Sequence, residues 1–143
     1  MYSKKQPIPE EVLSALEKYQ LKLGGEFNLQ GIIHPRIYAS TRRLLERIDS
    51  KERRTWLIVA SYGYILLHKH EKVVENFEIL ELFDGAYGHL FYPGHHRIGI
   101  EKIVGQPFTF RKGEFHGFHL GIGYAIIKIE ITGEYDPDDV LIH

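Results

Sequence analysis

The chain has 143 residues, of which 43% are apolar and 26% charged, a balance typical of a globular domain and unlike that of a disordered segment. It contains no cysteine, so disulfides, thiolate nucleophiles and thiolate metal sites are excluded. A formal net charge of −1 provides no overall field that would attract nucleic acid or an anionic membrane. We therefore expect a single domain over residues 1–143, whose function depends on local groups of side chains.

The chain shows no pattern of membrane insertion or export. Its longest apolar run, residues 56–67, is about twelve residues long, whereas a helix that spans a bilayer needs about 20. The N-terminal residues 1–7 lead into Glu10 and Glu11 and not into the apolar stretch of a signal peptide. We therefore expect a cytoplasmic protein without a membrane partner.

The first third of the chain carries two helical patterns, in residues 9–23 and 35–49. Each begins at a proline, and the first ends at a Gly-Gly pair. Residues spaced three or four apart line one side of each pattern: Val12, Leu16, Tyr19 and Leu23 in the first, and Ile37, Thr41, Leu44 and Ile48 in the second. Residues 26–33 between them suit a short strand or an extended linker.

From Trp56 onward the pattern is that of β-strands. Residues 56–60 and 65–67 are apolar runs that fit either a hairpin or one long bent strand. Residues 71–83 fit a helix or a strand, and we favour a strand because the turn signal Asp84-Gly85 follows. Residues 124–132 alternate as expected for a strand with one wet face. The order of elements predicts an α+β fold, in which two N-terminal helices pack on a largely antiparallel β-sheet or partly closed barrel.

The second predicted helix and the turn after it are strongly basic. Residues 36–54 contain seven of the 18 Lys and Arg residues, namely Arg36, Arg42, Arg43, Arg47, Lys51, Arg53 and Arg54. Such a surface can contact the phosphates of nucleic acid. Acids are interleaved with these bases at pairing distances, so a solvated helix explains the same residues and is the simpler interpretation.

Glycine and histidine are concentrated in residues 85–124, which hold nine of the 14 glycines and five of the nine histidines. So much glycine disfavours helix and predicts short strands joined by structured loops. Neutral imidazole binds Zn²⁺, Fe²⁺, Ni²⁺ and Mn²⁺, and a site for these ions without cysteine uses histidine with Asp or Glu. The excess of histidine therefore suggests a metal site, and three groups are candidates.

The first group is the pair His68 and His70, at the end of the apolar run. Residues two apart on a strand face the same side, so both imidazoles can reach one ion. Glu75 or Glu78 on the following segment would supply a carboxylate. The alternative is that residues 68–71 form a polar turn between strands, which is the more common outcome for such a sequence.

The second group follows a Pro-Gly turn in residues 92–97. The turn places His95, His96 and Arg97 at the entrance of a strand, where they can bind an anion or a metal. Adjacent residues on a strand point to opposite sides, so only one of the two histidines can join the first group, and we assign His96.

The third group lies in residues 111–119. Lys112-Gly113 is predicted to form a hairpin turn after residues 108–110, which places His116 and His119 near the far strand of that hairpin. We assign neither histidine to the metal.

A His-x-His pair with a later acid, and a later histidine after a Pro-Gly turn, resembles the metal-binding pattern of the cupins. That family holds a metal in a β-barrel with three histidines and a glutamate. The resemblance implies ligands of the types offered by His68, His70, Glu75 and His96. The gap to the acid and the spacing within residues 92–96 differ from the usual cupin pattern.

Two classes of function follow. The first is a small metal-dependent or imidazole-dependent enzyme that acts on a small polar ligand. Its predicted metal ligands are His68, His70, His96 and Glu75, and the ion would be Zn, Fe, Mn or Ni. Its predicted catalytic and substrate-orienting residues are Glu78, Tyr92, Arg97 and Arg111.

The second class is a non-enzymatic module. It would bind nucleic acid through residues 36–54 or a protein partner through the aromatic-rich loops. The near-zero net charge and the aromatic sheet also favour self-association into a homo-oligomer. We rank a metal-binding or ligand-binding domain ahead of this module.

Overall fold

A computed structural model describes residues 7–30 and 34–143 of the chain. Its helix α1 spans Glu10–Leu23, where a helix was predicted, and is followed by nine strands. The strands are β1 Asn28–Leu29, β2 Thr41–Ser50, β3 Arg53–Ala60, β4 Gly63–Lys69, β5 Val73–Tyr92, β6 His96–Gly99, β7 Phe108–Phe110, β8 His116–Gly133 and β9 Leu141–Ile142. A short 3-10 helix, Ile100–Lys102, separates β6 from β7. Residues 31–33, the end of the predicted extended segment, lie outside the described residues.

Strand β8 organises the sheet because it pairs along its whole length. Strand β5 runs along one of its edges, while β3 and β4 share the other edge. The C-terminal half of β8 pairs with β3, and its N-terminal half pairs with β4. All eight pairings between these strands are antiparallel. The β4 pairing places His68 directly opposite His116.

Alternate residues of the central strands face two different apolar layers. In β3, Trp56 and Ile58 point into the core enclosed by the sheet, whereas Leu57 and Val59 point outward. The outward side chains are covered by α1, so they are buried as well. This explains why β3 reads as a continuous apolar run in the sequence.

The predicted α+β fold with two N-terminal helices on a sheet is wrong. Only one α-helix is present among the described residues, and most of the second predicted helix is strand β2. Leu44 and Leu45 point to opposite sides of β2, into the inner core and towards α1 respectively. Ile48, which the helical pattern would bury, is 61% exposed. Because β2 is buried on both faces near Leu44 and Leu45, its apolar residues do not alternate, and their spacing resembles that of one face of a helix.

Most of the strand predictions agree with the structure. Residues 71–83 lie almost entirely in β5, and residues 124–132 lie in β8. Residues 56–60 and 65–67 belong to separate strands that both pair with β8, so they form neither a hairpin nor one bent strand. Asp84-Gly85 does not end β5. Both residues have positive φ and lie at an irregularity in the pairing of β5 with β8, after which β5 continues to Tyr92.

Two of the arginines in the basic region serve the fold. Arg47 donates to the Leu23 and Gly24 carbonyls at 3.0 and 2.8 Å, at the C-terminal end of α1. Arg54 lies over the Tyr135 ring, 4.7 Å from its centre. Nucleic-acid binding by residues 36–54 stays a prediction. No helix among the described residues is long and apolar enough to span a membrane.

Candidate metal centre

Four side chains with metal-binding atoms meet inside the sheet: His68, His70, Glu75 and His116. Strands β4, β5 and β8 carry three of them, and His70 lies in the short connection between β4 and β5. Each side chain is at least nine-tenths buried, with His68 only 1% exposed. These residues are called the histidine–glutamate cluster below.

An irregularity in the pairing of β4 and β8 turns His68 inward. Ile65 pairs with Phe118 and His68 pairs with His116, so β4 carries one extra residue over this interval. The bulge places Ile65 and His68 on the same buried side although they are three residues apart. Gly117 permits the close approach of the strands, since a Cβ there would lie 3.0 Å from the Ile65 carbonyl oxygen.

Each histidine of the cluster is oriented by a backbone carbonyl. His70 Nδ1 donates to the Asp139 carbonyl at 2.7 Å, and His116 Nδ1 donates to the Glu114 carbonyl at 3.0 Å. His68 Nδ1 makes the same type of hydrogen bond with the Leu66 carbonyl. A carbonyl can only accept, so each Nδ1 carries a hydrogen and the Nε2 of a neutral ring keeps its lone pair. This arrangement is typical of metal-binding histidines.

The ligand atoms lie at distances that suit one ion. The Nε2 atoms of His68 and His70 are 3.2 Å apart, and His116 Nε2 lies 3.1 Å from a Glu75 oxygen. All four ligand atoms lie within 4.8 Å of one another. Ligands about 2.0–2.2 Å from a shared metal are separated by about 3–4.4 Å, depending on the coordination angle. The cluster is close to this spacing.

The charge states inside the cluster favour cation binding. Burial, followed by the nearby His116, lowers the pKa of His68 to about 4, so this ring is neutral at pH 7. Burial would raise the pKa of Glu75, but His116 and His70 outweigh it and hold the pKa well below its usual value. Burial would also lower the pKa of His70, but its interactions with Glu75 raise the pKa instead. The metal-free cluster therefore holds an ionised carboxylate and a neutral His68 ring, and a metal ion would displace the proton that Glu75 favours on His70.

Two polar atoms of the cluster are not satisfied by a hydrogen bond. Glu75 Oε1 and His116 Nε2 are buried and make no well-aligned hydrogen bond with any residue that the structure describes, although His116 Nε2 lies 3.1 Å from Glu75 Oε2. Buried polar atoms are nearly always satisfied, because an unpaired one costs about 1–3 kcal/mol. A metal ion bound to these two atoms would remove that cost, so the residues present fit such an ion.

The C-terminal segment, residues 134–143, holds His70 in position. The Asp139 carboxylate accepts hydrogen bonds from the backbone amides of Glu71 and Lys72 at 2.9 and 2.8 Å. The Asp139 carbonyl accepts the hydrogen bond from His70. A salt bridge of 2.9 Å between Lys72 and Asp136 adds a further link. The segment thus connects the end of the chain to the cluster.

A cavity of about 230 Å³ opens beside His70. Its walls are mainly apolar and aromatic, and the C-terminal segment forms one side. The lining residues outside that segment include Tyr38, Leu44, Trp56, Val73 and Ile131. Tyr38 also lines a void of about 10 Å³ against His68, Glu75 and His116. Tyr38 therefore stands between the cavity and the cluster.

The structure brings together three of the four predicted metal ligands, His68, His70 and Glu75, but not His96. His96 lies at the start of β6, is exposed, and stacks on Tyr92 with ring centres 5.1 Å apart. Both residues line a surface depression apart from the cluster. His116 takes the position that the sequence prediction gave to His96.

The other predicted catalytic residues also lie away from the cluster. Glu78 is three residues after Glu75 on β5, points to the other face, and lies 3.8 Å from Lys128. Arg97 is exposed on β6, and Arg111 is exposed in the turn after β7. A catalytic role for these residues stays a prediction that the geometry of the cluster does not support.

The prediction missed His116 as a member of the cluster because it began the last long strand at Tyr124. Strand β8 begins eight residues earlier, at His116. His116, Phe118 and Leu120 alternate as buried residues. This alternation is visible in the sequence and favours a strand. The glycines in the same segment and the polar His119 make it resemble a loop.

Comparison with known proteins supports the fold. No protein-family model and no curated protein sequence matches the chain. A Klebsiella pneumoniae protein with a double-stranded β-helix domain matches 98% of this chain over 98% of its own, with 11% identity and a TM-score of 0.55. KdgF from Halomonas matches 76% of this chain over 90% of its own, with 11% identity and a TM-score of 0.55.

The DMSP lyase DddQ from Ruegeria pomeroyi is also similar, with 14% identity and a TM-score of 0.54 over 82% of this chain. The match spans only 60% of the lyase. At these identities the likeness is one of fold. The protein therefore has a double-stranded β-helix, the cupin-like fold, with a histidine–glutamate cluster that can bind a metal.

Proposed function

We propose that the protein is a cupin-like metal-binding domain in which His68, His70, Glu75 and His116 hold one divalent transition metal. The observation that carries this proposal is the direction of the imidazoles. Backbone carbonyls take all three Nδ1 hydrogens, so the three Nε2 atoms are the ones that converge with the Glu75 carboxylate. Lone pairs that face one another at 3.2 Å repel unless a proton or a metal ion lies between them.

The donor set narrows the choice of metal. Three imidazole nitrogens and one carboxylate oxygen suit Zn²⁺, Fe²⁺, Mn²⁺ or Ni²⁺, and the chain offers no thiolate. Four protein ligands leave open positions on an ion that prefers six. When bound, such an ion would supply Lewis-acid chemistry to a small molecule at those positions.

The cavity provides a route for a small polar ligand. His70 is the member of the cluster that lines it, so the cavity leads to the edge of the proposed metal site. Its volume of about 230 Å³ is below the roughly 300–1,000 Å³ of sites for drug-sized molecules. We propose an enzyme that acts on a small molecule, and the presence of a lyase among proteins of this fold supports that class.

Metal content tests the proposal. Purified protein should contain close to one transition-metal ion per chain by elemental analysis. After removal with a chelator, the protein should rebind one Zn²⁺ and melt at a higher temperature, because a ligand that binds only the folded state stabilises it.

The matched variants are His116→Ala and His119→Ala, which change two histidines three residues apart on β8. His119 is exposed and lies outside the cluster. His116→Ala should weaken Zn²⁺ binding at least about 100-fold, because one of four ligands is lost, and His119→Ala should retain native affinity. Absence of metal from the protein, together with no Zn²⁺-induced rise in melting temperature, would refute the proposal.

A further inference from the structure

Tyr38 is the polar residue that lines both the cavity and the small void against the histidine–glutamate cluster. It is 8% exposed, and its hydroxyl makes no hydrogen bond with any residue that the structure describes. Edge-on contacts with the Trp56 and His68 rings, at 6.1 and 6.2 Å between centres, fix the ring. The Tyr38 hydroxyl is not one of the fully buried atoms that lack a partner, so it keeps accessible surface and is free to donate to a ligand in the cavity that Tyr38 lines.

The charge pattern of the cavity limits what that partner can be. No lysine or arginine lines the cavity, whereas Asp136, Asp138 and Asp139 do. The guanidinium of Arg54, which lies over the cavity-lining Tyr135, is paired with Glu46 at 3.5 Å. The proposed metal, with Glu75, would leave one net positive charge at the inner end. A ligand with one negative charge would therefore be neutralised at this inner end. A second negative charge on the ligand would be repelled by the aspartate carboxylates that line the cavity.

The walls between these two ends are apolar. Leu44, Val73, Ile131 and Val140 line the cavity together with the Trp56 ring. These side chains can pack against the apolar part of a ligand but offer it no hydrogen bond. A ligand that uses the whole cavity therefore needs a polar head and an apolar body.

We infer that the cavity binds a small monocarboxylate with an apolar or aromatic body, whose carboxylate accepts a hydrogen bond from the Tyr38 hydroxyl beside the histidine–glutamate cluster. This inference rests on the proposed metal site for the charge at the inner end. A tyrosine hydroxyl ordinarily keeps its proton at pH 7, so Tyr38 can donate this hydrogen bond.

The single tryptophan of the chain provides the assay. Trp56 lines the cavity, so its fluorescence reports occupancy directly. Benzoate is the probe, and isophthalate, which adds a second carboxylate to the same ring, is the matched comparison. Zn²⁺-loaded protein should bind benzoate at least about tenfold more tightly than isophthalate, because the second carboxylate meets like charges.

The Tyr38→Phe variant tests the hydroxyl itself. A hydrogen bond to a charged group contributes about 1.5–3 kcal/mol, so Tyr38→Phe should weaken benzoate binding at least about tenfold. Zn²⁺ affinity and melting temperature should not fall, because the hydroxyl bonds nothing in the described protein. Tyr64→Phe, which changes a tyrosine that is 46% exposed, is the control and should have no effect.

The outcomes separate the two proposals. Failure to bind Zn²⁺ refutes the proposed function, whatever benzoate does. Zn²⁺ binding with equal benzoate affinity in the native protein and Tyr38→Phe overturns the inference and leaves the metal site intact. If isophthalate binds as tightly as benzoate, the cavity does not discriminate against a second negative charge, and the inference of a monocarboxylate is refuted. If neither probe changes the Trp56 fluorescence, the cavity does not bind this class of ligand.

Discussion

Two groups of histidines in this protein differ in almost every property that decides whether a histidine binds a metal. The buried cluster of His68, His70 and His116 has a carbonyl partner for each Nδ1 and shares a buried carboxylate. His95 and His96, in the turn after β5 and at the start of β6, are exposed and have no carboxylate partner among the described residues. Orientation and burial therefore distinguish candidate metal ligands better than local histidine density does.

Removal of one histidine from each group should separate the two groups most strongly. His116→Ala should weaken Zn²⁺ binding at least about 100-fold, because structural zinc binding of about 10–16 kcal/mol is shared among four ligands. His96→Ala should leave Zn²⁺ affinity unchanged within error, since His96 stacks on Tyr92 outside the cluster. Calorimetric titration of chelator-treated protein measures both. Equal losses in the two variants would remove the distinction between the groups.

The second prediction concerns how the cluster is oriented. Asp139→Ala removes the carboxylate that holds the amides of Glu71 and Lys72, and so loosens the carbonyl that orients His70. Zn²⁺ affinity should fall about 10–100-fold, the usual effect of losing a group that orients a ligand. Asp138→Ala is the control, because the Asp138 carboxylate makes no hydrogen bond or salt bridge in the described structure. An unchanged Zn²⁺ affinity in Asp139→Ala would show that the C-terminal segment does not support the site.

The third prediction is the pH dependence of the metal-free protein. His68 has a pKa of about 4 when folded, below the 6.5 of an exposed histidine, so between these values the unfolded chain binds more protons. Stability should therefore fall by up to about 3 kcal/mol as the pH drops from 6.5 to 4. The pKa of His70 is raised above 6.5 in the folded protein, so His70 stabilises the folded state below pH 6.5. This contribution is lost as the pH rises above 6.5.

Urea unfolding at several pH values measures this effect. His68→Gln should flatten the decline between pH 6.5 and 4, whereas His96→Gln should leave it unchanged. A decline of the same steepness in His68→Gln would assign the acid sensitivity to other groups.

The smallest expected effect is that of Phe110, which stacks on His116 with ring centres 4.2 Å apart. Phe110→Leu keeps most of the buried apolar surface but removes the flat ring that fixes the imidazole plane. We expect a loss of stability of about 1 kcal/mol and a fall in Zn²⁺ affinity of less than tenfold. Thermal unfolding and Zn²⁺ titration of the same samples would show whether packing or the histidine's hydrogen bond does more to fix the ring.

Part of the site was accessible from the sequence for a simple reason. His68 and His70 are close in the sequence, and their Nε2 atoms lie 3.2 Å apart, although His70 is just beyond the end of β4. Glu75 follows on a segment correctly predicted as a strand. His68 and His116 are brought together by the pairing of β4 with β8, although they are 48 residues apart in the chain. No local sequence pattern specifies the register of that strand pair.

The error over the fold has a related cause. Strand β2 is buried on both faces near Leu44 and Leu45, because the inner core covers one face and α1 the other. Alternation is lost wherever both faces of a strand are covered, and the remaining apolar spacing fits a helix equally well. The covering helix was itself predicted, but its position over β2 and β3 was not.

The coordination shell of a bound ion would show whether these four residues hold it. X-ray absorption at the zinc edge of the protein loaded with one Zn²⁺ should show three imidazole nitrogens and at least one oxygen, at about 2.0–2.2 Å. The same measurement on His116→Ala, loaded with excess Zn²⁺, should show fewer imidazoles. A shell with no imidazole, or one that is unchanged in His116→Ala, would contradict a metal site built from His68, His70, Glu75 and His116.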